Sequence, residues 1–357
     1  MNMRIVGLVI ILLAGIGILA WYTFFGSVTQ FSSDYRYLYI YPDSTGREKL
    51  LKQLQRDSML SKKGSFDWLA RQKGFYEKVK PGKFKIPKGT NPVELLKILA
   101  ANQEEVKLVI NKLRLPKDLS ALISRKTMYS QEKTDAFFLN NDSLSGYKLD
   151  TALLLTAVLP NTYNIYWTSS PSTILEKLVK ESESWWKNDN REALLDSLKL
   201  SKNQAYTIAS IVDEETRIPE EKPLIASVYL NRLKKGMPLQ ADPTVKFARR
   251  DFLANRILYS HLKTPSPYNT YINRGLPPGP ICTAQPATID SVLHAPKTDY
   301  LYFVAKADFS GYSVFNTNLS DHNKAAKVYQ DSLTAWLKRK AEREKLKSDS
   351  TKAANIQ

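Results

Sequence analysis

Tyr35-Arg36-Tyr37-Leu38-Tyr39-Ile40-Tyr41 sets an aromatic side chain at every second position, and Pro42-Asp43-Ser44 follows it. Period two is the signature of a strand, and the Pro-Asp-Ser cluster ends it in a turn. Two amphipathic stretches come next, residues 46–56 with Leu50, Leu51 and Leu54, and residues 65–73 with Trp68 and Leu69. Both predict helices. Residues 79–86 then read as a second strand, interrupted by Pro81-Gly82. The order is strand, helix, helix, strand. Asn91-Pro92-Val93-Glu94 supplies a capping residue, a proline at the first helical position and a glutamate at the third, ahead of Leu95, Leu96, Ile98 and Leu99. A third helix is predicted there.

Upstream of the first strand, residues 5–25 form one uninterrupted apolar run, with only Arg4 and the N-terminus as charge before it and none after it until Asp34. Roughly 20 apolar residues cross a hydrocarbon core of about 30 Å, so this run qualifies as a membrane anchor. A cleaved signal peptide would end its apolar region at small residues. Trp21, Tyr22, Phe24 and Phe25 stand there instead, as at a membrane–water interface. We read residues 1–4 as cytoplasmic and the body as lying outside the inner membrane, as a single-pass protein.

The strand-helix-helix-strand unit resembles LysM, a small module that holds N-acetylglucosamine-containing glycans. The resemblance lies in element order alone and predicts a LysM-like subdomain over residues 34–104. Residues 105–150 then form a connecting region: 106–110 read as a strand and 117–149 as a polar helical bridge with a loop at Asn140-Asn141-Asp142-Ser143.

The whole 357-residue chain is 43% hydrophobic and 24% charged, which is globular composition, and its length suggests more than one domain. A net charge of +17 calls for an anionic partner: nucleic acid, anionic headgroups or acidic wall polymer. The anchor decides against nucleic acid. Neither zinc-finger spacing nor a P-loop nor Gly-x-Gly-x-x-Gly occurs, and His261, His294 and His322 are scattered, so no metal or cofactor is expected. Cys282 stands alone and allows no internal disulfide.

From residue 151 the character changes. Pro, Gly and Asn collect in the blocks Leu159-Pro160-Asn161-Thr162-Tyr163, Gln240-Ala241-Asp242-Pro243-Thr244, Tyr268-Asn269-Thr270-Tyr271 and Gly275-Leu276-Pro277-Pro278-Gly279-Pro280. Rigid loops of this kind hold side chains in place. Residues 301–305 and 312–315 around Gly311 read as a hairpin, and 324–338 as a helix with Val328, Tyr329, Leu333 and Trp336 on one face. The α+β class follows, with a mixed α+β domain over 151–337 as the candidate catalytic domain. Residues 338–357 are charged and apolar-poor, and composition predicts a disordered tail.

The sharpest chemical signal is Ala209-Ser210-Ile211-Val212-Asp213-Glu214-Glu215-Thr216-Arg217. On a helix over 204–215, Glu215 follows Val212, Ile211 and Ile208 and extends the apolar stripe, whereas Glu214 follows Ser210 and Thr207 and faces water. A carboxyl at the edge of an apolar stripe loses hydration when ionised, so its pKa rises. That suits a general acid for a poor leaving group such as a glycosidic oxygen. Asp213 falls between these extremes and is the second candidate, better suited to positioning than to reacting.

These blocks together, with Val228-Tyr229-Leu230-Asn231-Arg232-Leu233 and Phe315-Asn316-Thr317-Asn318, resemble the YceG-like endolytic murein transglycosylases (MltG) from about residue 159 to 322. The resemblance implies a lyase that cuts the β-1,4 bond between N-acetylmuramic acid and N-acetylglucosamine in nascent peptidoglycan, leaving a 1,6-anhydro end. In the family the catalytic glutamate directly precedes the threonine of this motif, which falls on Glu215. One carboxylic acid suffices when the nucleophile is the substrate's own 6-hydroxyl. Expected substrate contacts are Asp213, Gln240, Tyr268, Asn269, Tyr271, Asn316 and Asn318, through amides that bond acetamido groups and rings that stack on sugars. Peptidoglycan synthases are candidate protein partners. Two departures stand out: Pro160-Asn161-Thr162-Tyr163 replaces the family's Pro-Asp-Thr-Tyr, and Asp213-Glu214-Glu215 replaces Glu-Lys-Glu. Two other outcomes remain open: a muramidase in which Asp242 activates water, and a non-catalytic wall-binding scaffold.

Overall fold

A computed structural model describes residues 3–354 apart from 62 and 255. Residues 1–2 of the expected cytoplasmic N-terminus and 355–357 of the expected tail lie outside the described residues. The chain divides into two compact units, one of residues 1–109, 120–135 and 162–174, the other of 110–119, 136–161 and 175–357.

The first unit opens with α1 (Met3–Phe25), whose 23 residues rise about 34 Å. Its apolar side chains are exposed along its length: Leu8, Ile11, Leu19 and Trp21 each keep more than half of their surface. It is long and apolar enough to cross a membrane. The tyrosine alternation forms β1 (Tyr35–Ile40), then come α2 (Arg47–Arg56), α3 (Lys63–Gln72) and β2 (Gly82–Pro87), which pairs antiparallel with β1. The second strand starts at Gly82 because Pro81 offers no N–H to a ladder. A Cβ on Gly82 would also stand 2.8 Å from the Gln103 Cβ. Leu38, Ile40, Phe84 and Ile86 face inward onto a core with Leu50, Leu54 and Phe66. Val28 and Phe31, upstream of the expected boundary at 34, belong to that core. The outer face of this two-stranded sheet carries the tyrosines and lysines: Lys83 Nζ sits 3.8 Å from the Tyr37 ring centre and Lys85 Nζ 4.2 Å from that of Tyr35.

The Asn91 motif forms α4 (Pro92–Ala100) with a complete capping box: Glu94 N–H donates to the Asn91 side chain and Asn91 N–H to the Glu94 carboxylate. β3 (Glu105–Ile110) follows, and α5 (Pro116–Ser124), α6 (Gln131–Phe138) and α7 (Asn141–Ser145) make up the helical bridge. The loop expected at 140–143 is the start of α7, because Asn140 caps it by accepting the Asp142 N–H. β4 (Asn161–Tyr166) pairs with β3, so the Pro160 block, expected as a rigid loop, is a strand. Its alternating burial, with Tyr163 and Ile165 inward, explains why. α8 (Pro171–Lys187) comes next.

The second unit is built around a nearly all-buried helix. α9 (Arg191–Leu198) leads to α10 (Lys202–Glu215), whose capping box joins Ser201 and Gln204. Ala205, Tyr206, Ile208, Ala209, Ile211 and Val212 on α10 are buried. The Tyr206 hydroxyl donates to the Val158 carbonyl. α10 packs against α11 (Lys222–Lys234), α12 (Asp242–Arg249) and α13 (Pro286–Leu293). In the proline-rich block, Gly279 passes so close to Ala152 that a Cβ would meet its carbonyl oxygen at 2.1 Å. The hairpin pairs β5 (Tyr302–Ala305) with β6 (Ser313–Asn316). α14 (Leu319–Ala354) then runs through the segment expected to be disordered. Its Ala, Leu, Lys, Arg and Glu are strong helix formers, and Lys340 and Glu344 stand one turn apart, so local propensity favours the helix there.

Candidate active site

Three consecutive carboxylates end α10, and the helix sends them three ways. Glu215, last in the helix, accepts a 2.7 Å hydrogen bond from the Tyr229 hydroxyl of α11. Enclosure of its carboxyl by protein raises the pKa to about 7; Asp242 and Glu214 push the same way, while the Tyr229 hydrogen bond and Lys246 oppose. The shift from 4.5 corresponds to about 3 kcal/mol in favour of the protonated form. Burial and the neighbouring Glu215 also hold the Tyr229 phenol well above its ordinary value. The phenol therefore keeps its proton and acts as donor.

Glu214 does not face open water as expected. Its carboxylate, 17% exposed, takes Lys112 Nζ at 2.6 Å and the Arg114 guanidinium at 2.9 Å. Arg114 and Glu214 also line a cavity of about 40 Å³ with Pro243, Lys246, Phe247, Phe252 and Ile281. Asp213, expected among the substrate contacts, has its carboxylate engaged by protein groups. Its Oδ1 takes Lys222 Nζ and the Thr288 hydroxyl, both at 2.6 Å, and its Oδ2 takes the Gln285 N–H at 2.8 Å.

The remaining expected contacts divide. Tyr271 donates to Asp242 Oδ1 at 2.6 Å, and both groups act electrostatically within one cluster with Glu215 and Arg232. Gln240, exposed and held at φ +52°, presents its amide oxygen 3.2 Å from Arg232. Arg232 also donates to the Leu301 and Leu239 carbonyls and lies 5.1 Å from the Tyr302 ring centre; His322 stacks on that ring. The Asn316 Nδ2 and His322 Nδ1 are buried without hydrogen-bond partners, and burial followed by Arg232 lowers the His322 pKa. Asn269, Tyr268 and Asn318 have structural partners. Asn269 donates to the Leu262 and Thr264 carbonyls, Tyr268 packs 4.6 Å from Phe247, and Asn318 caps α14 through the Asp321 N–H. Among the described residues no cluster of His, Cys, Asp and Glu can hold a metal ion.

A family model described as the YceG-like family matches residues 38–328. The chain belongs to the YceG-like family. It is 42% identical over 164 residues to the endolytic murein transglycosylase of Bacillus subtilis, covering 46% of this chain and 44% of that protein. It is 33% identical over 189 residues to the endolytic murein transglycosylase of Streptococcus pneumoniae serotype 2, covering 51% and 32%. The chain thus spans less than half the length of these curated relatives. Among solved structures it resembles a YceG-like protein of Listeria monocytogenes, with a TM-score of 0.51 and 25% identity over 82% of this chain and 99% of that one.

In this YceG-like chain, sequence reasoning singled out Glu215 as the candidate acid but assigned no role to Tyr229, Arg232, Lys246 or Lys112. Tyr229 is fourteen residues from Glu215, and only the packing of α11 on α10 joins them. No local spacing could have signalled it. Replacing Tyr229 by phenylalanine removes the hydrogen bond that holds the Glu215 pKa down, so the alkaline limb of the activity profile moves to higher pH. The accompanying loss of rate is expected to stay within about tenfold, one neutral hydrogen bond. A pH–rate profile that keeps its position in Tyr229→Phe would contradict the coupling.

Proposed function

We propose that this protein is a membrane-anchored endolytic lytic transglycosylase that cleaves the N-acetylmuramic acid β-1,4 N-acetylglucosamine bond of nascent peptidoglycan. The relatives named endolytic murein transglycosylases support the reaction class. The observation that carries the assignment to this chain is Glu215: a half-buried side chain whose desolvated carboxyl has a pKa of about 7, at the end of a buried helix.

The steps balance on one side chain. Protonated Glu215 delivers its proton to the glycosidic oxygen as the bond to the anomeric carbon breaks, and the N-acetylglucosamine side leaves as an alcohol. The resulting carboxylate takes the proton from the muramic acid 6-hydroxyl as that oxygen closes on the same anomeric carbon. A 1,6-anhydro end forms, no water enters, and Glu215 is protonated again. Tyr229 fixes the carboxyl, and the cationic Lys246 stabilises the transient carboxylate. Arg232, Gln240, Asn316 and Tyr271 offer hydrogen-bonding and ring surface to the sugars.

The rest of the reading follows the sequence. α1 anchors the chain in the inner membrane with the N-terminus cytoplasmic and the catalytic domain outside, next to emerging strands. The first unit, with its β1-α2-α3-β2 order, acts as a LysM-like glycan holder, and peptidoglycan synthases are the candidate partners.

Asp242 supports a second reading. It is exposed and close enough to raise the Glu215 pKa, so a hydrolase that activates water through Asp242 is the competing chemistry. Mass spectrometry of the products decides: hydrolysis adds one water to each cleaved bond, and the lyase reaction adds none. Anhydromuramyl ends from the full-length protein in detergent are the expected result, and water-bearing reducing ends overturn it.

A further inference from the structure

Within the first unit a cleft of about 420 Å³ is lined by Tyr39, Tyr41, Lys83, Val106, Arg125, Lys126 and Trp167. Trp167, only 7% exposed, forms its floor, with the Tyr39 and Tyr41 rings edge-on at 5.1 and 4.8 Å. These two tyrosines remain 37% and 47% exposed, so ring surface is left for a ligand. Gln103 fixes the segment after Trp167 by donating to Thr168. The alternation that buries Leu38 and Ile40 also turns Tyr39 to the outer face of β1, and Tyr41 follows just past the strand's end.

The cleft gathers Lys83, Arg125 and Lys126 beside its aromatic rings. At two other places cations share a carboxylate: Arg47 and Arg71 meet at Asp67, Lys112 and Arg114 at Glu214. Among the described residues, Lys83, Arg125 and Lys126 form no ion pair. The Lys83 ammonium sits over the Tyr37 ring, which leaves its charge intact. Glu104 is the acidic group that acts on Tyr37 and Tyr39, and its Oε2 is buried without a hydrogen-bond partner. The described lining of this partly enclosed space holds three cations and no carboxylate, which draws an anion in. Aromatic surface beside cations fits a ligand with a flat, weakly polar body and carboxylates.

We propose that this cleft binds an anionic saccharide, specifically a glycan unit carrying a peptide stem. The sugar ring lies against Tyr39 and Tyr41, and the stem carboxylates meet Arg125, Lys126 and Lys83, with the guanidinium able to take one bidentately. The proposal rests on the peptidoglycan reading and adds a preference for stem-bearing over stem-free strands. It places that preference away from the residues that cut.

The test uses the full-length protein in detergent, carrying Glu215→Gln so that ligand is not consumed. Two probes are titrated: a disaccharide with its tetrapeptide stem and the same disaccharide with the peptide removed. The stem-bearing probe is expected to bind about tenfold tighter, a preference that shrinks with added salt. Arg125→Glu with Lys126→Glu, both at exposed positions, should abolish the preference without lowering the melting temperature. Tyr41→Ala should weaken both probes alike. Equal affinity for the two probes, or an unchanged preference in the double variant, overturns the proposal. So does displacement of the stem-bearing probe by inorganic pyrophosphate at equal concentration, which would mark a phosphate site instead. Failure of the peptidoglycan reading appears separately, as absence of anhydromuramyl product from the protein with Glu215 intact.

Discussion

Replacement of Glu215 by glutamine is expected to lower the rate of anhydromuramyl release by about 10²–10⁴-fold, the usual contribution of a general acid–base group. The amide keeps the shape of the carboxyl and can still accept from Tyr229, so positioning survives while the transferable proton is lost. The pH dependence separates this from mere damage. The first step needs protonated Glu215, so the wild-type rate should fall about tenfold per pH unit above a pKa of about 7. The residual rate of the variant should be flat over that range. Stability moves the other way. A folded pKa above the unfolded value means stability that is fully present below about 4.5 and lost as pH rises through about 7. The glutamine variant carries no such penalty and should be the more stable protein at pH 8, by at most about 3 kcal/mol. A variant that retains the wild-type rate, or one whose rate loss tracks a falling melting temperature, would remove Glu215 from the chemistry.

What the sequence made legible was whatever depends on neighbours along the chain. The capping box at Asn91, the two-residue period of β1 and the helical phase that turns Glu215 away from Glu214 are all local, and all appear in the structure. Where a contact needed residues about a hundred positions away, local reading failed. Glu214 looked solvated because nothing within one turn of helix suggested Lys112 and Arg114. Asn140 and the block from Pro160 show the other failure: polar, turn-forming residues serve as a helix cap and as an outer strand face when tertiary pairing favours it.

The replacement of Glu-Lys-Glu by Asp213-Glu214-Glu215 acquires a physical account from the same contacts. A positive charge at the middle position is absent, yet Lys112 and Arg114 bring two to Glu214 from another segment, and Lys246 acts directly on Glu215. The positive charges around these carboxylates therefore come from segments distant in sequence. Glu214 itself still raises the Glu215 pKa, so its pairing with Lys112 and Arg114 moderates that push.

Asp213→Ala is expected to cost about 3–5 kcal/mol of folding stability, the range found when one partner of a buried ion pair is removed. Asp213 is 4% exposed and Lys222 is 15% exposed as side chains, so truncation strands an ammonium that little water can reach. It also removes the acceptor of the Gln285 N–H and of the Thr288 hydroxyl, which opens the seam where α13 begins beside α10. Asp213→Asn should lie between wild type and alanine, since the amide oxygen still accepts but the charge is gone. A double variant, Asp213→Ala with Lys222→Met, should recover part of the loss, because the stranded charge is removed with its partner. Chemical denaturation measures all three, and a loss below about 1 kcal/mol in Asp213→Ala would contradict the role of a pin. Turnover per folded molecule supplies the second readout. It should stay within about tenfold of wild type, well short of the loss expected at a proton-transferring group. A hundredfold fall at unchanged stability would return Asp213 to the substrate, whereas a stability loss at near-normal turnover fixes it as the residue that holds Glu215's helix against α11 and α13.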